Sequence, residues 1–131
     1  MKNTENMRNK RAIGDKGEAI AVKYLESHGY RIILRNYHSR YGEIDIIAEL
    51  GEYIVFVEVK FRKSSLYGEP SQAVDYRKQE KLKKTALQYI ADNELVDKDF
   101  RFDIIEVTAT GAGAGEDTGE AALNHIENAF C

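Results

Sequence analysis

Two apolar runs carry the charges that decide this fold: Gly42-Glu43-Ile44-Asp45-Ile46-Ile47 and Ile54-Val55-Phe56-Val57-Glu58-Val59-Lys60. Both runs predict buried β-strands. Such strands rarely contain charges, because an unpaired carboxylate in apolar surroundings costs several kcal/mol or takes up a proton. Asp45, Glu58 and Lys60 therefore need compensation, and a divalent cation would supply it.

The turn between these strands determines which residues face each other. We expect a two-residue loop at Gly51-Glu52, because glycine at the first central position suits a type II′ hairpin. This register places Asp45 opposite Glu58, with Cβ atoms about 5 Å apart. It also places Glu43 opposite Lys60, on the same face. Mg²⁺ or Mn²⁺, which prefer oxygen ligands, would turn the carboxylate repulsion into coordination. The alternative is an ordinary carboxylate–lysine pair on a half-exposed hairpin.

A third carboxylate lies upstream. The pattern predicts a helix over residues 11–28 that ends at Gly29. Glu18 falls on the apolar stripe of this helix, which also contains Gly14, Ala21, Val22 and Leu25. Glu18 is therefore predicted to face the sheet and to approach the two strand acids. The alternative is a position at the edge of the stripe, paired with Lys16 or Lys23.

A lysine two residues after a metal-binding glutamate has a use in phosphodiester hydrolysis. Lys60 could orient the attacking water and neutralise the charge that develops in the transition state. An aspartate and a Glu-x-Lys motif on adjacent strands, here Asp45 and Glu58-Val59-Lys60, resemble the PD-(D/E)xK nuclease signature. In that signature a further glutamate comes from a preceding helix, as Glu18 does here.

The chain as a whole is similar to the YraN family of small bacterial proteins. The similarity covers about residues 10–108 and the C-terminal Asn128-Ala129-Phe130. The shared motifs are Gly14-Asp15-Lys16-Gly17-Glu18-Ala19, Arg35-Asn36-Tyr37, Gly42-Glu43-Ile44-Asp45, Phe56-Val57-Glu58-Val59-Lys60-Phe61-Arg62 and Arg101-Phe102-Asp103. The resemblance implies a restriction-endonuclease-like fold, close to archaeal Holliday-junction resolvases, and nucleic-acid binding.

Position by position, the resemblance implies four catalytic residues. Asp45 and Glu58 would bind the metal together with the Val59 carbonyl. Glu18 would orient a water, and Lys60 would position the nucleophile. Glu43 is part of the shared motif and would be a partner of Lys60 or an occasional ligand; alternatively, it only fixes the turn that enters the strand.

Charge distribution favours nucleic acid more than the net charge of −3 suggests. Residues 1–91 carry 17 basic and 12 acidic side chains, a balance of +5, whereas residues 92–131 carry 2 and 10, a balance of −8. Phosphate contacts by the basic part would make affinity fall with salt. The alternative is a solvated lysine-rich helix face.

Individual residues of the basic part are candidates for nucleic-acid contact. Arg62 and Lys63 directly follow the strand that carries Glu58. Lys78 falls on the apolar row of the second predicted helix, so it is expected to lean towards the site. Gln72, spaced from Tyr76 as in RecB-type nucleases, is a further candidate, with an ordinary helix surface as the alternative.

The predicted fold class is α/β, with an αβββαβ core and a mixed four-stranded sheet flanked by helices. After the first helix the elements are strands 31–37, 43–50 and 53–61, a loop 62–69, a helix 70–91 and a strand 100–108. The predicted organisation is a flexible basic arm (1–10), a nuclease-like domain (11–108), a Gly/Ala-rich linker (109–119) and a C-terminal helix (120–131) bearing Leu123, Ile126 and Phe130. Asp103, in the last strand, is expected to pair with an arginine or a backbone group rather than a metal.

Composition limits the remaining possibilities. At 131 residues the chain forms one domain. The single cysteine, Cys131, permits no intrachain disulfide and suits a reducing compartment. No apolar run approaches the roughly 20 residues that span a bilayer. We therefore expect a cytoplasmic protein without membrane contact.

These patterns together predict a Mg²⁺- or Mn²⁺-dependent endonuclease that acts on structured or branched DNA. Two symmetric cuts would suit a homodimer. The alternatives are a non-catalytic nucleic-acid-binding module on a nuclease fold, or a subunit that binds other proteins.

Overall fold

The computed structural model describes residues 16–62, 75–109 and 121–130. A first helix, α1, covers residues 16–27 of this part, and Gly29 follows it with a φ of +88°. Three strands come next: β1 (Arg31–Ser39), β2 (Gly42–Leu50) and β3 (Tyr53–Arg62). Helix α2 (Tyr76–Asp92) then leads to β4 (Asp99–Ala109) and β5 (Ala121–Phe130).

The five strands form one sheet in which spatial order follows chain order. β1–β2, β2–β3 and β4–β5 are antiparallel, and β3–β4 is parallel. A parallel pair needs a crossover connection, and α2 lies in the one between β3 and β4. The α/β class and the mixed sheet are confirmed.

The predicted hairpin register between β2 and β3 is confirmed where the strands pair. Leu50 lies opposite Tyr53, and the pairs continue to Ile46 opposite Val57. Gly51 has a φ of +59°, the sign that the first central residue of a type II′ turn needs. Side chains at even and odd positions here therefore face opposite layers of the molecule.

Each face of the sheet carries its own core. Ala21 and Leu25 of α1 pack against one face, on Ile46, Val57 and Ile105. The other face is covered by Leu82, Ala86 and Tyr89 of α2, which pack with Ile47, Ile54, Phe56 and Ile104. Because the inner strands are buried on both sides, their sequences are almost continuously apolar.

The predicted C-terminal helix is wrong, and the sheet has five strands instead of four. Residues 121–130 form β5, which pairs with β4. Leu123 packs on the α1 side, whereas Ile126 and Phe130 pack on the α2 side. The register shifts between the pairs Ile104–Ile126 and Phe102–Phe130, and Asn128 within the shift has a φ of +51°. Because β5 is irregular and contributes apolar side chains to both faces of the sheet, Leu123, Ile126 and Phe130 have the three- and four-residue spacing that is typical of a helix.

The second predicted helix begins later than the prediction as far as the described residues extend. Asp75 caps α2, since its side chain accepts a hydrogen bond from the Lys78 N–H. Residues 63–74, which include most of the predicted loop and the first residues of the predicted helix, lie outside the described part, as do the predicted arm (1–10) and residues 110–119 of the predicted linker.

Candidate active site

Asp45 lies at the point where β2 and β3 diverge. The paired register ends at Ile46 and Val57, one residue before Asp45 would meet Glu58. There the Asp45 carboxylate takes the place of the backbone partner, and its Oδ2 accepts a hydrogen bond from the Val59 N–H at 2.8 Å. Asp45 is therefore held beside Glu58 by β3 itself, through a side-chain contact instead of the ladder pair that the register predicts.

Glu58 is almost completely buried and carries two cationic neighbours. The Lys78 Nζ lies 2.6 Å from its Oε1, and the Lys60 Nζ lies 3.7 Å from the same oxygen. The expectation that Lys78 leans towards the strand acids agrees with this contact. Lys78 belongs to the first turn of α2, where a basic residue opposes the helix dipole. The ion pair with Glu58 compensates for this unfavourable position of Lys78 in the helix.

Burial and neighbouring like charges shift the pKa values of Asp45 and Lys60. Burial raises the pKa of Asp45 to about 7, and the nearby charges of Glu58 and Glu18 add to this effect. Burial also lowers the pKa of Lys60, helped by the adjacent Lys78 ammonium. Burial favours a lower pKa for Lys78, but its interactions with Glu58, Lys60 and Asp45 together outweigh burial and raise the pKa.

Glu18 faces the sheet as predicted. Its side chain is 8 % exposed, and the Arg35 Nε donates a hydrogen bond to its Oε1 at 3.2 Å. The partner is thus an arginine of β1 and neither of the two lysines considered from the sequence. Glu18 is near enough to Asp45 for its charge to raise the pKa of Asp45, as the charge of Glu58 also does.

The donor set fits a magnesium or manganese ion held by few protein ligands. Within residues 16–62, 75–109 and 121–130, no group of three or more His, Cys, Asp or Glu side chains is arranged to hold a metal. Mg²⁺ commonly takes one or two carboxylates and keeps several waters. Asp45 and Glu58 supply two carboxylates, which is the number that Mg²⁺ commonly takes. The Lys78 Nζ lies 2.6 Å from the Glu58 Oε1 and neutralises that carboxylate.

The remaining predicted residues are placed differently. The side chain of Glu43 is 61 % exposed, and its Oε2 lies 3.3 Å from the His38 Nδ1, so the contact recorded for Glu43 is with β1 and not with Lys60. Arg62 is the last residue of β3. Lys63 and Gln72 lie outside the described residues.

Glu106 is a buried carboxylate that the sequence analysis did not single out. It is 1 % exposed and pairs in register with Lys60 on the neighbouring strand. The Asn124 side chain donates to its Oε1 at 2.9 Å, whereas its Oε2 has no hydrogen-bond partner in the described part of the chain. The sequence feature that could have identified Glu106 is its position between the apolar residues Ile105 and Val107 of β4.

Asp103 forms a second buried polar cluster, in agreement with the expectation for it. Arg101 donates two hydrogen bonds of 2.9 Å to its carboxylate, and the Asn128 N–H donates a third. His125 adds a contact of 2.6 Å through its Nε2. The sequence analysis attached no role to His125. Burial favours a higher pKa for Asp103, but the hydrogen bonds from His125 and Arg101 outweigh it and lower the pKa.

Helices of the described residues are too short or too polar to cross a membrane.

Comparison with known proteins identifies the relatives of this chain. The model of the Uncharacterised protein family UPF0102 matches residues 17–107, which include every residue of the candidate site. A UPF0102 protein of Alkaliphilus oremlandii is 47 % identical over 120 residues, covering 90 % of this chain and 97 % of the relative. One from Clostridium acetobutylicum is 48 % identical over 122 residues, covering 93 % and 95 %. One from Geobacter metallireducens is 45 % identical over 120 residues, covering 92 % and 93 %. The chain therefore belongs to the UPF0102 family, which is the YraN family that its motifs indicate.

Proposed function

We propose that this protein is a Mg²⁺- or Mn²⁺-dependent endonuclease that hydrolyses phosphodiester bonds in structured or branched DNA. The observation that carries the proposal is the acidic pair beside a Glu-x-Lys strand. Asp45 is fixed on the Val59 N–H, and Glu58 and Lys60 flank that residue on β3. Branched DNA as the preferred substrate rests on the resemblance to Holliday-junction resolvases.

Each residue of the cluster has a role in this proposal. Asp45, Glu58 and the Val59 carbonyl would hold the ion. The ion supplies Lewis-acid stabilisation and lowers the pKa of a water. Lys60 donates hydrogen bonds to the attacking water and to the phosphate oxygens that gain charge. Glu18, fixed by Arg35, orients the attacking water.

In this proposal Lys78 has different partners in the metal-free and the metal-bound protein. Its ammonium neutralises Glu58 at 2.6 Å. If Glu58 bound a divalent ion, the ammonium of Lys78 would be available for a substrate phosphate. The same side chain would thus stabilise the metal-free protein and contact the bound DNA.

A second candidate function is a nucleic-acid-binding module without catalysis. The observation that favours it is that Lys78 and Lys60 both approach the same oxygen of Glu58. If these ammonium groups hold the carboxylate permanently, the ion has no place to bind. Basic residues of α2 would still attract phosphates.

Metal titration separates the two functions. Mn²⁺ is titrated into the wild-type protein, into Glu58→Gln and into Glu52→Gln, and heat release is measured by calorimetry. Glu52 lies in the exposed β2–β3 turn and serves as the matched carboxylate control. The same samples are incubated with single-stranded, duplex, flap and four-way-junction DNA.

The nuclease proposal expects metal binding and cleavage of one substrate by the wild type and by Glu52→Gln. Both should be lost in Glu58→Gln. Absence of Mn²⁺ binding at millimolar ion, or cleavage that persists in Glu58→Gln, would overturn the proposal. DNA binding without metal binding would then support the module.

A further inference from the structure

A cavity separates the β1–β2 turn from helix α2, outside the acidic cluster. Its volume is about 380 Å³, and its lining consists of Tyr41, Lys84, Leu87, Gln88 and Ala91. We refer to it as the Tyr41 cavity. An aromatic ring, an amide, an ammonium and an apolar side chain meet there, and Leu87 is 63 % exposed although it is a large hydrophobic residue.

The β1–β2 turn holds Tyr41 and Arg40 as one unit. Arg40 donates a hydrogen bond from its Nη2 to the Tyr41 hydroxyl at 2.7 Å, and its guanidinium lies 4.9 Å from the centre of the ring. The Tyr41 N–H donates to the Ser39 Oγ at 3.0 Å. The ring is therefore oriented before any ligand arrives, which lowers the entropy lost on binding.

Gly42 fixes this turn against α2. A Cβ built on Gly42 would lie 3.4 Å from the Thr85 Oγ1 and 3.9 Å from the Lys81 Cβ, so the backbone approaches the helix closely. The φ of Gly42 is +153°, which glycine adopts without strain. The cavity thus has two rigid walls.

A row of lysines connects the acidic pair with the cavity. Lys78, Lys81 and Lys84 follow one another at three-residue intervals on α2, so they span about 9 Å along the helix axis while winding partly around the helix. Lys78 contacts Glu58 at one end, and Lys84 lines the Tyr41 cavity at the other. No carboxylate of the described residues forms an ion pair with Lys81 or Lys84. Asp92, the acidic residue nearest to this lining in sequence, accepts a hydrogen bond from Gln88 at 2.8 Å.

We propose that the Tyr41 cavity binds an unpaired base of single-stranded DNA, whose phosphates follow Lys84, Lys81 and Lys78 to the acidic pair. Tyr41 and Leu87 offer faces on which a base stacks, and the Gln88 amide can both donate to and accept from a base edge. Arg40 lies at the ring and attracts a flanking phosphate. This inference rests on the proposed nuclease function, for which it names the substrate segment next to the cut.

An unpaired base fits better than a paired one. A side chain in a cavity reaches the face of a base only when that base has left the stack. Duplex DNA would contact the lysine row alone. The cavity therefore favours ends, flaps and junctions over continuous duplex.

A second cavity supplies the matched control. It has a volume of about 410 Å³ and is lined by Tyr53, Asp99, Phe100, Arg101 and Asn128. Here too an arginine lies over a tyrosine, since the Arg101 guanidinium is 5.6 Å from the centre of the Tyr53 ring. However, Arg101 is paired with Asp103, and Asp99 adds a negative charge. This cavity shares the tyrosine–arginine contact with the Tyr41 cavity, but no lysine is among the residues that line it.

The test measures binding of short fluorescent oligonucleotides in the presence of EDTA, so that cleavage plays no part. The wild type, Tyr41→Ala, Tyr41→Phe and Tyr53→Ala are compared on single-stranded and duplex DNA. One base of the single strand is replaced by 2-aminopurine, whose fluorescence is quenched when it stacks on an aromatic ring. Leu87→Glu, at an exposed helix position, probes the cavity without altering the turn.

We expect Tyr41→Ala and Leu87→Glu to raise the Kd for the single strand about tenfold, within the range of base–aromatic stacking. Tyr41→Ala should also abolish the quenching. Tyr41→Phe, which keeps the ring but loses the Arg40 hydrogen bond, should lose less affinity than Tyr41→Ala, and Tyr53→Ala should bind as the wild type does. Equal single-strand affinities of wild type, Tyr41→Ala and Leu87→Glu would overturn the inference. An equal loss on single-stranded and duplex DNA would overturn it too.

Failure of the inference can be told from failure of the proposed function. If Tyr41→Ala loses single-strand affinity as expected but the wild type cleaves no DNA, the base site stands and the nuclease proposal falls. If the wild type cleaves and Tyr41→Ala cleaves and binds equally well, only the base site falls.

Discussion

The Lys78 Nζ lies 2.6 Å from the Glu58 Oε1, so an ammonium on α2 neutralises a carboxylate on β3 across the face of the sheet. Glu58 is buried, whereas the Lys78 side chain is 42 % exposed. Solvent therefore screens part of the interaction, and its contribution to stability is modest. The Lys78–Glu58 ion pair has a larger effect on metal binding, because the lysine charge repels any other cation that approaches Glu58.

Lys78→Met should bind Mn²⁺ about tenfold more tightly than the wild type, because removal of a neighbouring positive charge favours a second cation. The free energy of unfolding without metal should fall by about 1 kcal/mol, since Lys60 still approaches Glu58. Calorimetry and urea unfolding measure the two effects. Lys83→Met, which removes a lysine paired with Glu80 on the same helix, is the control. Unchanged Mn²⁺ affinity in Lys78→Met would contradict the shared site.

Asp45→Asn should be at least as stable as the wild type at pH 8 without metal. The folded-state pKa of Asp45 is raised from 3.8 to about 7, so ionisation of this group opposes folding. The wild type should lose stability as pH rises from about 4 to about 7, by at most about 4 kcal/mol from this group. The variant should lack that loss while an amide oxygen still accepts from Val59.

Urea unfolding of both proteins in EDTA at pH 5 and pH 8 tests this expectation. The informative quantity is the difference between variant and wild type at each pH. A variant that is clearly less stable than the wild type at pH 8 would indicate that Asp45 is a structural ion-pair partner. Asp45→Asn should also abolish Mn²⁺ binding.

Asp103→Asn should have the opposite effect on stability. Hydrogen bonds hold the pKa of Asp103 below 3.8, so its ionised form stabilises the fold. This contribution is present above the ordinary pKa and is lost as pH falls through the lowered one. At pH 7 the variant should lose about 1–3 kcal/mol, because the buried network loses its anionic acceptor although Glu127, 3.3 Å from the Arg101 Nη2, still offsets the arginine charge. Chemical unfolding at pH 7 measures the loss, and a change below 1 kcal/mol would refute this account of the network.

Gly17→Ala should destabilise the protein although alanine favours helices. A Cβ on Gly17 would lie 2.8 Å from the Phe61 Cδ2, where α1 crosses the end of β3. Overpacking of this kind costs about 1–3 kcal/mol, which exceeds the helix gain of about 0.5–1 kcal/mol. Phe61→Leu combined with Gly17→Ala should recover part of the loss in a double-mutant cycle. If the single Gly17→Ala variant is more stable than the wild type, the close contact has no energetic importance.

Local patterns predicted much of the site correctly. Glycine at position 51 set the β2–β3 register, and the apolar stripes placed Glu18 and Lys78 on faces directed at the sheet. The prediction that Asp45 and Glu58 pair directly across the strands is wrong, because the pairing of β2 and β3 ends one residue earlier, at Ile46 and Val57. Such a divergence depends on a side chain that replaces a backbone partner, and the residue pattern of a strand does not encode it.

Long-range pairing explains the rest. Residues 121–130 have no strand partner within their own segment, so their pattern taken alone predicts a helix. The role of His125 depends on contact with Asp103, which is on the neighbouring strand. The position of Glu106 beside Lys60 likewise depends on the parallel pairing of β3 and β4. Neither the His125–Asp103 contact nor the Glu106–Lys60 pair can be predicted until it is known which strands are neighbours in the sheet.

The agreement of sheet order with chain order has a consequence for synthesis. Asp45 and Glu58 lie on adjacent arms of one hairpin, and a hairpin closes within about 1–10 μs. Chain elongation at about 5–20 residues per second is far slower, so the two acids meet on the ribosome before Lys78 has emerged. Until α2 arrives, the nascent hairpin has Lys60 but not Lys78 to offset the repulsion between the two acids. We expect a divalent cation to hasten this first stage of folding, and the lysine to complete it.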